Sequence, residues 1–193
     1  MRCGVLALQG DWAAHAAVLD NLGVEIVLVR TAAELETVEA LVLPGGESTA
    51  MLRLMEPESL AEKIARLVRD GMPVLATCAG VILLATTTKP AQQSLAVLDI
   101  EVERNAYGRQ VHSQVADVEL ADVFGEPAVI ESVFIRAPRI TRIGPDVSVL
   151  GRLGSDPVLV RQGGIIAATF HPELTDDHRV HRLLVDEEAG HGR

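Results

Sequence analysis

Aromatic residues and cysteines are both scarce in this chain of 193 residues. Phe, Tyr and Trp together make up 3% of the sequence, although 48% of all residues are hydrophobic. The core must therefore consist mainly of aliphatic side chains, a composition typical of a parallel sheet buried on both faces. The two cysteines cannot form a disulfide framework, and they are compatible with a reducing compartment.

Positive charge is also in short supply. Lys and Arg number 17 against 27 Asp and Glu, a formal net charge of −10, which argues against sequence-independent binding to nucleic acid or to an anionic membrane. The first apolar run ends before Gln9, so it is too short for a signal peptide or a membrane span. We expect a cytoplasmic protein that forms one domain over residues 1–193 and binds neither nucleic acid nor membrane.

Short apolar runs alternate with helical patterns in the first half of the chain, whereas successive strand patterns dominate from residue 99 onward. Strands are predicted at 5–8, 24–29, 40–43, 74–77, 100–103, 111–120, 128–136, 147–150, 158–160 and 165–170. Helices are predicted at 11–22, 58–70, 81–86 and 175–188. This order predicts an α/β protein with a doubly wound, mostly parallel sheet and an antiparallel C-terminal elaboration. Ligands of such sheets bind at the carboxyl ends of the strands.

Cys78 lies between a predicted strand and a predicted helix, a position that suits an exposed nucleophile on a tight turn. Alone, a cysteine in apolar surroundings is more often an inert core residue. His171 and Glu173 follow the last predicted strand, where an extended backbone would let the carboxylate reach the imidazole. Thiol, base and orienting carboxylate together predict a catalytic triad, although His-Pro-Glu alone would equally suit a surface turn.

Other motifs remain open from the residues alone. The Gly45-Gly46 loop lacks the lysine of a nucleotide-binding loop; it is either a tight turn or an oxyanion hole made by the N–H groups of Gly46 and Ala79. Arginines occur at 104, 109 and 136, and they are either surface residues or a fork for a carboxylate. His178 and His181 have a spacing that is generic for a polar helix, so we predict no metal site.

Six segments in order along the chain resemble the glutaminase subunits of pyridoxal 5′-phosphate synthase, a family of triad (class I-type) glutamine amidotransferases. These segments are GVLALQG at 4–10, LPGGEST at 43–49, TCAG at 77–80, ERNAYGRQ at 103–110, FIRAP at 134–138 and FHPELT at 170–175. The Ala79-Gly80 pair after the cysteine favours the vitamin B6 branch over amidotransferases that carry Cys-Leu-Gly-x-Gln.

The resemblance implies a flavodoxin-like three-layer α/β sandwich that needs no cofactor. L-glutamine would be hydrolysed to L-glutamate and ammonia, which passes through a channel to a separate synthase subunit in a hetero-oligomeric complex. Cys78 would be the nucleophile, with His171 and Glu173 completing the triad. The glutamine contacts implied are Gly46, Glu47, Ser48, Arg104, Ile135 and Arg136.

Two departures from the family pattern bear on alternatives. Ala76 stands where the family usually has glycine, and the connection over residues 87–98 is short. One alternative is a catalytically impaired regulatory subunit of the same complex, and another is a different cysteine amidase or peptidase on the same fold. Gln9-Gly10, at the end of the first strand, is a candidate for sensing the partner.

Overall fold

The computed structural model describes residues 1–104, 113–121 and 129–191, and its centre is a nine-stranded sheet. In order across that sheet the strands are β2 (Glu25–Val29), β1 (Arg2–Leu6), β3 (Ala40–Leu43), β4 (Val74–Thr77), β12 (Ile165–Ala168), β11 (Asp156–Gln162), β10 (Ser148–Leu153), β7 (Ser113–Leu120) and β8 (Val129–Ile135). The first five strands run parallel and the other four join them antiparallel, which confirms the predicted mixed sheet.

Helices cover both faces of the sheet and make three layers. The bounds are α1 (Trp12–Asn21), α2 (Ala32–Leu35), α3 (Ser48–Met55), α4 (Leu60–Arg69), α5 (Ala79–Leu84) and α6 (Arg179–His191). Successive residues of β3 point to opposite faces: Leu41 and Leu43 join the core under α2–α5, whereas Val42 joins the core under α1 and α6. All four residues of β3 are buried, as expected for a strand covered on both sides.

A small second sheet contains β5 (Ala85–Lys89), β6 (Leu98–Glu103) and β9 (Arg139–Ile143), and it corrects one prediction. The predicted helix over 81–86 ends at Leu84, and Ala85 begins a strand. The three threonines at 86–88 explain the difference, because β-branched side chains favour extended backbone.

Several boundaries differ from the prediction. The strand predicted over 165–170 ends at Ala168, and the predicted closing helix begins at Arg179 rather than at residue 175. Helices α2 and α3 and strand β9 were not predicted, because each is short and lacks a clear apolar period. Residue 109 and the motif at 105–110 lie outside the described residues. Within the described parts of the chain, no helix is both long enough and apolar enough to cross a membrane.

Candidate active site

Cys78 occupies a sharp bend between β4 and α5. Its backbone has φ 46° and ψ −102°, a conformation that non-glycine residues rarely adopt and that is concentrated at functional sites. The Cys78 N–H donates to the carbonyl of Ala168, so the register between β4 and β12 continues into the bend. Gly80 is required just beyond, because a Cβ there would collide with the carbonyl oxygen of Leu43.

Ala76 lies before this bend, inside β4, where it is paired with Leu43 on one side and Ala167 on the other. Its side chain is fully buried in the core beneath α2–α5. The methyl group that departs from the family pattern is therefore part of the sheet packing, and the left-handed backbone begins two residues later.

His171 and Glu173 reach the same edge of the sheet from β12. The His171 N–H donates to the carbonyl of Val133 in β8, which fixes the backbone beside the cysteine. His171 Nδ1 lies 2.7 Å from Glu173 Oε1, and both side chains are buried. The predicted contact is present, but the backbone is not extended there: residues 172–174 form a 3-10 turn.

The absence of a side chain at Gly45 leaves room for the His171 ring. A Cβ at Gly45 would collide with Cε1 of the imidazole and lie 3.4 Å from Cβ of Cys78. The Gly45-Gly46 loop therefore packs directly against both the nucleophile and the base. This close approach is the structural reason for a glycine at that position.

Electrostatics favour a charged imidazole at this site. Burial alone would lower the pKa of His171, but its side-chain hydrogen bonds to Cys78 and Glu173 outweigh that effect and raise the pKa to about 10. An imidazolium at neutral pH can stabilise a neighbouring thiolate and can supply a proton to a leaving group.

Glu47 links the glycine loop to its surroundings. Its N–H donates to Gln9 Oε1 at 2.8 Å, and its carboxylate accepts from the N–H groups of Thr49 and Ala50 as the N-cap of α3. Although partial burial opposes the charged form, these hydrogen bonds hold the pKa of Glu47 below its usual range. Arg104 adds an ion pair, with its Nη2 3.7 Å from Glu47 Oε1.

The predicted site residues share one cleft of about 140 Å³. This volume is well below the ~300 Å³ at which drug-sized ligand sites begin, and it suits a molecule of amino-acid size. Of the predicted set, only Glu173 does not line the cleft, because it lies behind His171. The lining residues are Asp11, Gly46, Glu47, Ser48, Cys78, Ala79, Ile82, Arg104, Ile135, Arg136 and His171.

Three features of the cleft wall were not predicted. Arg136 has a left-handed backbone with φ 45°. A strained residue therefore lies on each side of the cleft, Cys78 on one wall and Arg136 on the opposite wall. The Ile135 carbonyl lies 3.7 Å from the Cys78 sulfur. Ser48 donates to Oε1 of Gln92 at 3.1 Å, and this contact ties the short 87–98 connection to the site.

His15 was not singled out in the sequence, and His181 was considered there only as a possible metal ligand, but the structure makes both of them functional candidates. Both are fully buried and lie behind Glu173, with His15 Nδ1 2.9 Å from His181 Nε2. The helical spacing indicates only burial: His15 continues the buried stripe of Val18 and Leu19 in α1.

One group of side chains in the described residues resembles a metal site. The possible ligand atoms of Asp11, His171 and Glu173 all lie within 4.8 Å of one another. We assign no metal to it, because Nδ1 of His171 and Oε1 of Glu173 already bond each other. The side chain of His181 is buried in the core and contacts His15, so it does not form a surface metal site with His178.

Comparison with known proteins places this geometry in a family. The sequence model of the SNO glutamine amidotransferase family matches residues 5–189. The pyridoxal 5′-phosphate synthase subunit PdxT of Thermotoga maritima is 50% identical over 187 residues, covering 96% of this chain and 98% of that protein. The protein of the same name from Solibacter usitatus is 50% identical over 190 residues, with the same coverage. A solved structure described as a glutamine amidotransferase has a TM-score of 0.88 and 45% identity, covering 95% of this chain and 97% of its own.

Proposed function

The chain belongs to the SNO glutamine amidotransferase family, and on this basis we propose that it hydrolyses L-glutamine to L-glutamate and ammonia. The observation that carries the proposal is the line from Cys78 through His171 to Glu173 at the carboxyl ends of β4 and β12. This arrangement supplies a nucleophile, a proton carrier and an orienting carboxylate in sequence.

In the proposed reaction, the Cys78 thiolate attacks the side-chain amide carbon of glutamine. The N–H groups of Gly46 and Ala79 stabilise the resulting oxyanion, a contribution of about 10²–10³ in rate for each donor. His171 then protonates the amide nitrogen, the C–N bond breaks, and ammonia leaves a thioester on Cys78. In the second half, His171 takes a proton from water, the hydroxide attacks the thioester, and glutamate departs with the thiolate restored.

The walls of the cleft suit the free amino-acid end of the substrate. Arg104 and Arg136 offer guanidinium groups to the α-carboxylate, and the ionised carboxylate of Glu47 offers an acceptor to the α-ammonium group. Ser48 and the Ile135 carbonyl add polar atoms beside the nucleophile. A peptide or simple amide would leave these charged groups without partners, which is why we favour glutamine over other amides.

We further propose that the ammonia passes to a separate pyridoxal 5′-phosphate synthase subunit. The support is the identity of about 50% to proteins named as PdxT subunits of that synthase, over nearly the full length of both chains. We propose that residues 1–193 act as one glutaminase domain, since the triad combines Cys78 from the first half with His171 and Glu173 from the second. A nucleophilic thiol needs a reducing environment, and this requirement favours the cytoplasm.

A glutamate-release assay of the purified chain, with and without the cognate synthase subunit, tests the proposal. We expect weak activity alone, strong activity with the synthase, and none with Cys78→Ala in either case. A glutamine-analogue electrophile should form a covalent adduct on Cys78.

No turnover with the synthase, although the fold is intact and the subunits bind, would indicate an impaired regulatory subunit and refute the glutaminase assignment. Turnover of amides that lack a free α-amino acid end would indicate a different cysteine amidase.

A further inference from the structure

The triad continues beyond Glu173 into the interior of the protein. Oε1 of Glu173 bonds His171, while Oε2 is buried and faces Nε2 of His15 at 3.3 Å. His15 comes from α1, and its Nε2 also lies 3.0 Å from the hydroxyl oxygen of Thr77, the residue before the nucleophile. Oε2 makes no hydrogen bond among the described residues, and the hydrogen bond of His15 Nε2 goes to Thr77, so the contact between His15 and Oε2 is electrostatic.

The proton on the two buried histidines can be assigned from which polar atoms have partners. His15 Nδ1 and His181 Nε2 are 2.9 Å apart, so one of them must donate and the other accept. His181 Nδ1 is buried and has no partner in the described structure. If His15 donated, that Nδ1 would carry a buried, unsatisfied N–H, which is costlier than an unsatisfied lone pair.

The opposite assignment leaves no N–H of the two histidines without an acceptor. When His181 Nε2–H donates to His15 Nδ1, the proton of His15 lies on Nε2 and faces Thr77 and the carboxylate of Glu173. The alternative would direct a lone pair of His15 at a buried carboxylate oxygen 3.3 Å away, and the two would repel. The direction of donation therefore runs from His181 to His15 and from His15 to Thr77, and the Nε2–H of His15 lies beside Oε2 of Glu173.

We propose that His15 is a positioning residue for the triad: its Nε2–H donates to Thr77 and attracts the charge on Oε2 of Glu173 across 3.3 Å, and His181 fixes the tautomer that keeps this proton in place. With both oxygens held, the carboxylate keeps His171 in the orientation that presents its other nitrogen to Cys78. The inference rests on the proposed glutaminase function for its substrate, but the geometry that carries it is independent of glutamine.

The charges around His15 agree with this role. Burial, together with the nearby His181 and His171, lowers the pKa of His15 well below its usual value, and burial with His178 lowers the pKa of His181 to about 3. The ionisable groups that face His15 are Glu173, His171 and His181, from the segment after β12 and from α6. A neutral His15 can face Glu173 with its N–H without competing with His171 for the negative charge of the carboxylate.

Three variants distinguish the loss of the His15 N–H group from a loss of core packing around α1. His15→Leu removes the donor, His15→Gln keeps an N–H at the same number of bonds from Cα, and Val18→Ala disturbs the buried face of α1 without touching the network. Glutamate release is measured with saturating synthase, and alkylation of Cys78 by iodoacetamide is followed on the same samples by mass spectrometry. Melting temperatures monitor folding.

We expect His15→Leu to lower kcat by about ten- to hundredfold, the effect of removing the N–H that lies beside a buried charged group, with little change in KM. Cys78 alkylation should slow severalfold in the same variant. His15→Gln should recover most of both losses, and Val18→Ala should change only the melting temperature. His181→Leu, which frees the tautomer of His15, should give a smaller loss in kcat than His15→Leu.

A folded His15→Leu protein with wild-type kcat and wild-type alkylation would overturn the inference. So would an equal defect in His15→Leu and His15→Gln, which would mean that ring shape rather than donation matters. If His15→Leu does not fold, the other two variants carry the test. A kcat close to that of the wild type in His15→Gln, with a lower kcat in His181→Leu, supports the inference, and an equal loss of kcat in both variants overturns it. A wild-type protein that releases no glutamate refutes the proposed function instead, and the alkylation comparison still tests the role of His15.

Discussion

The change of Glu173 to Gln isolates the charge of the triad carboxylate while keeping its size. Glu173 lies 2.7 Å from His171 Nδ1 on one side and 3.3 Å from His15 Nε2 on the other. Both neighbours present an N–H to the carboxylate, but an amide can accept with only one of its two atoms. The hydrogen bond from His181 keeps the proton of His15 on Nε2, the nitrogen that faces residue 173. The amide oxygen of the introduced glutamine therefore turns toward His15, and the NH₂ group of the glutamine turns toward His171.

The NH₂ group cannot accept a hydrogen bond from Nδ1. Once His171 has given up its proton, the neutral imidazole therefore takes its other tautomer and directs an N–H at Cys78 in place of the lone pair that must accept a proton in the second half-reaction. The rise of the His171 pKa to about 10 means that the site favours the imidazolium by roughly 5 kcal/mol more than water does, and both Glu173 and Cys78 contribute to this stabilisation. Loss of the charge and of the tautomer should lower kcat by about 10³, near the 10⁴ found when a serine-protease triad loses its carboxylate in the same way.

Glutamate release with saturating synthase measures this effect, and the NMR titration of the His171 ring reports its pKa directly. We expect the pKa of His171 to fall in Glu173→Gln and KM to change little. Asp11→Asn is the matched control, because its carboxylate lies 3.7 Å from the same Nδ1 but is half exposed, and its effect should be far smaller. A Glu173→Gln enzyme with kcat close to that of the wild type would refute the reasoning.

Further predictions concern the loop and the pH dependence. Gly45→Ala should abolish glutamate release with only a modest fall in melting temperature, because the added methyl displaces the His171 ring; an active variant would contradict this packing. Glu47→Ala should cost about 0.5–2 kcal/mol in urea unfolding through its lost N-cap, and it should raise KM more than it lowers kcat; equal changes in both kinetic constants would count against a role in substrate binding. Because folding raises the pKa of His171, its contribution to stability is full below about pH 6.5 and is lost as the pH rises through about 10. Urea unfolding at several pH values across this window should therefore show a steeper loss for the wild type than for His171→Asn, and parallel curves would exclude this linkage.

The elements that sequence predicted best are those in which local pattern and burial agree. Strand β3 is an apolar run between polar segments, and its bounds match the prediction because a strand buried on both faces must be apolar throughout. The 81–86 segment was predicted incorrectly at its end, because the strand preference of the threonines at 86–88 does not by itself decide whether Ala85 ends the helix or begins the strand. Its pairing with Leu98 in the second sheet, a contact distant in sequence, decided in favour of a strand.

Local sequence was enough to reveal the chemistry of the site: a cysteine at a strand end, a glycine loop and a His-Pro-Glu segment are each recognisable from a few adjacent residues. How the carboxylate of Glu173 is held depends instead on long-range packing. His15 and His181 lie 166 residues apart, and His15 has the helical spacing of an ordinary core position. Nothing in either local sequence distinguishes a buried histidine that only packs from one that faces a catalytic carboxylate, because that difference arises only where α1 and α6 converge behind β4.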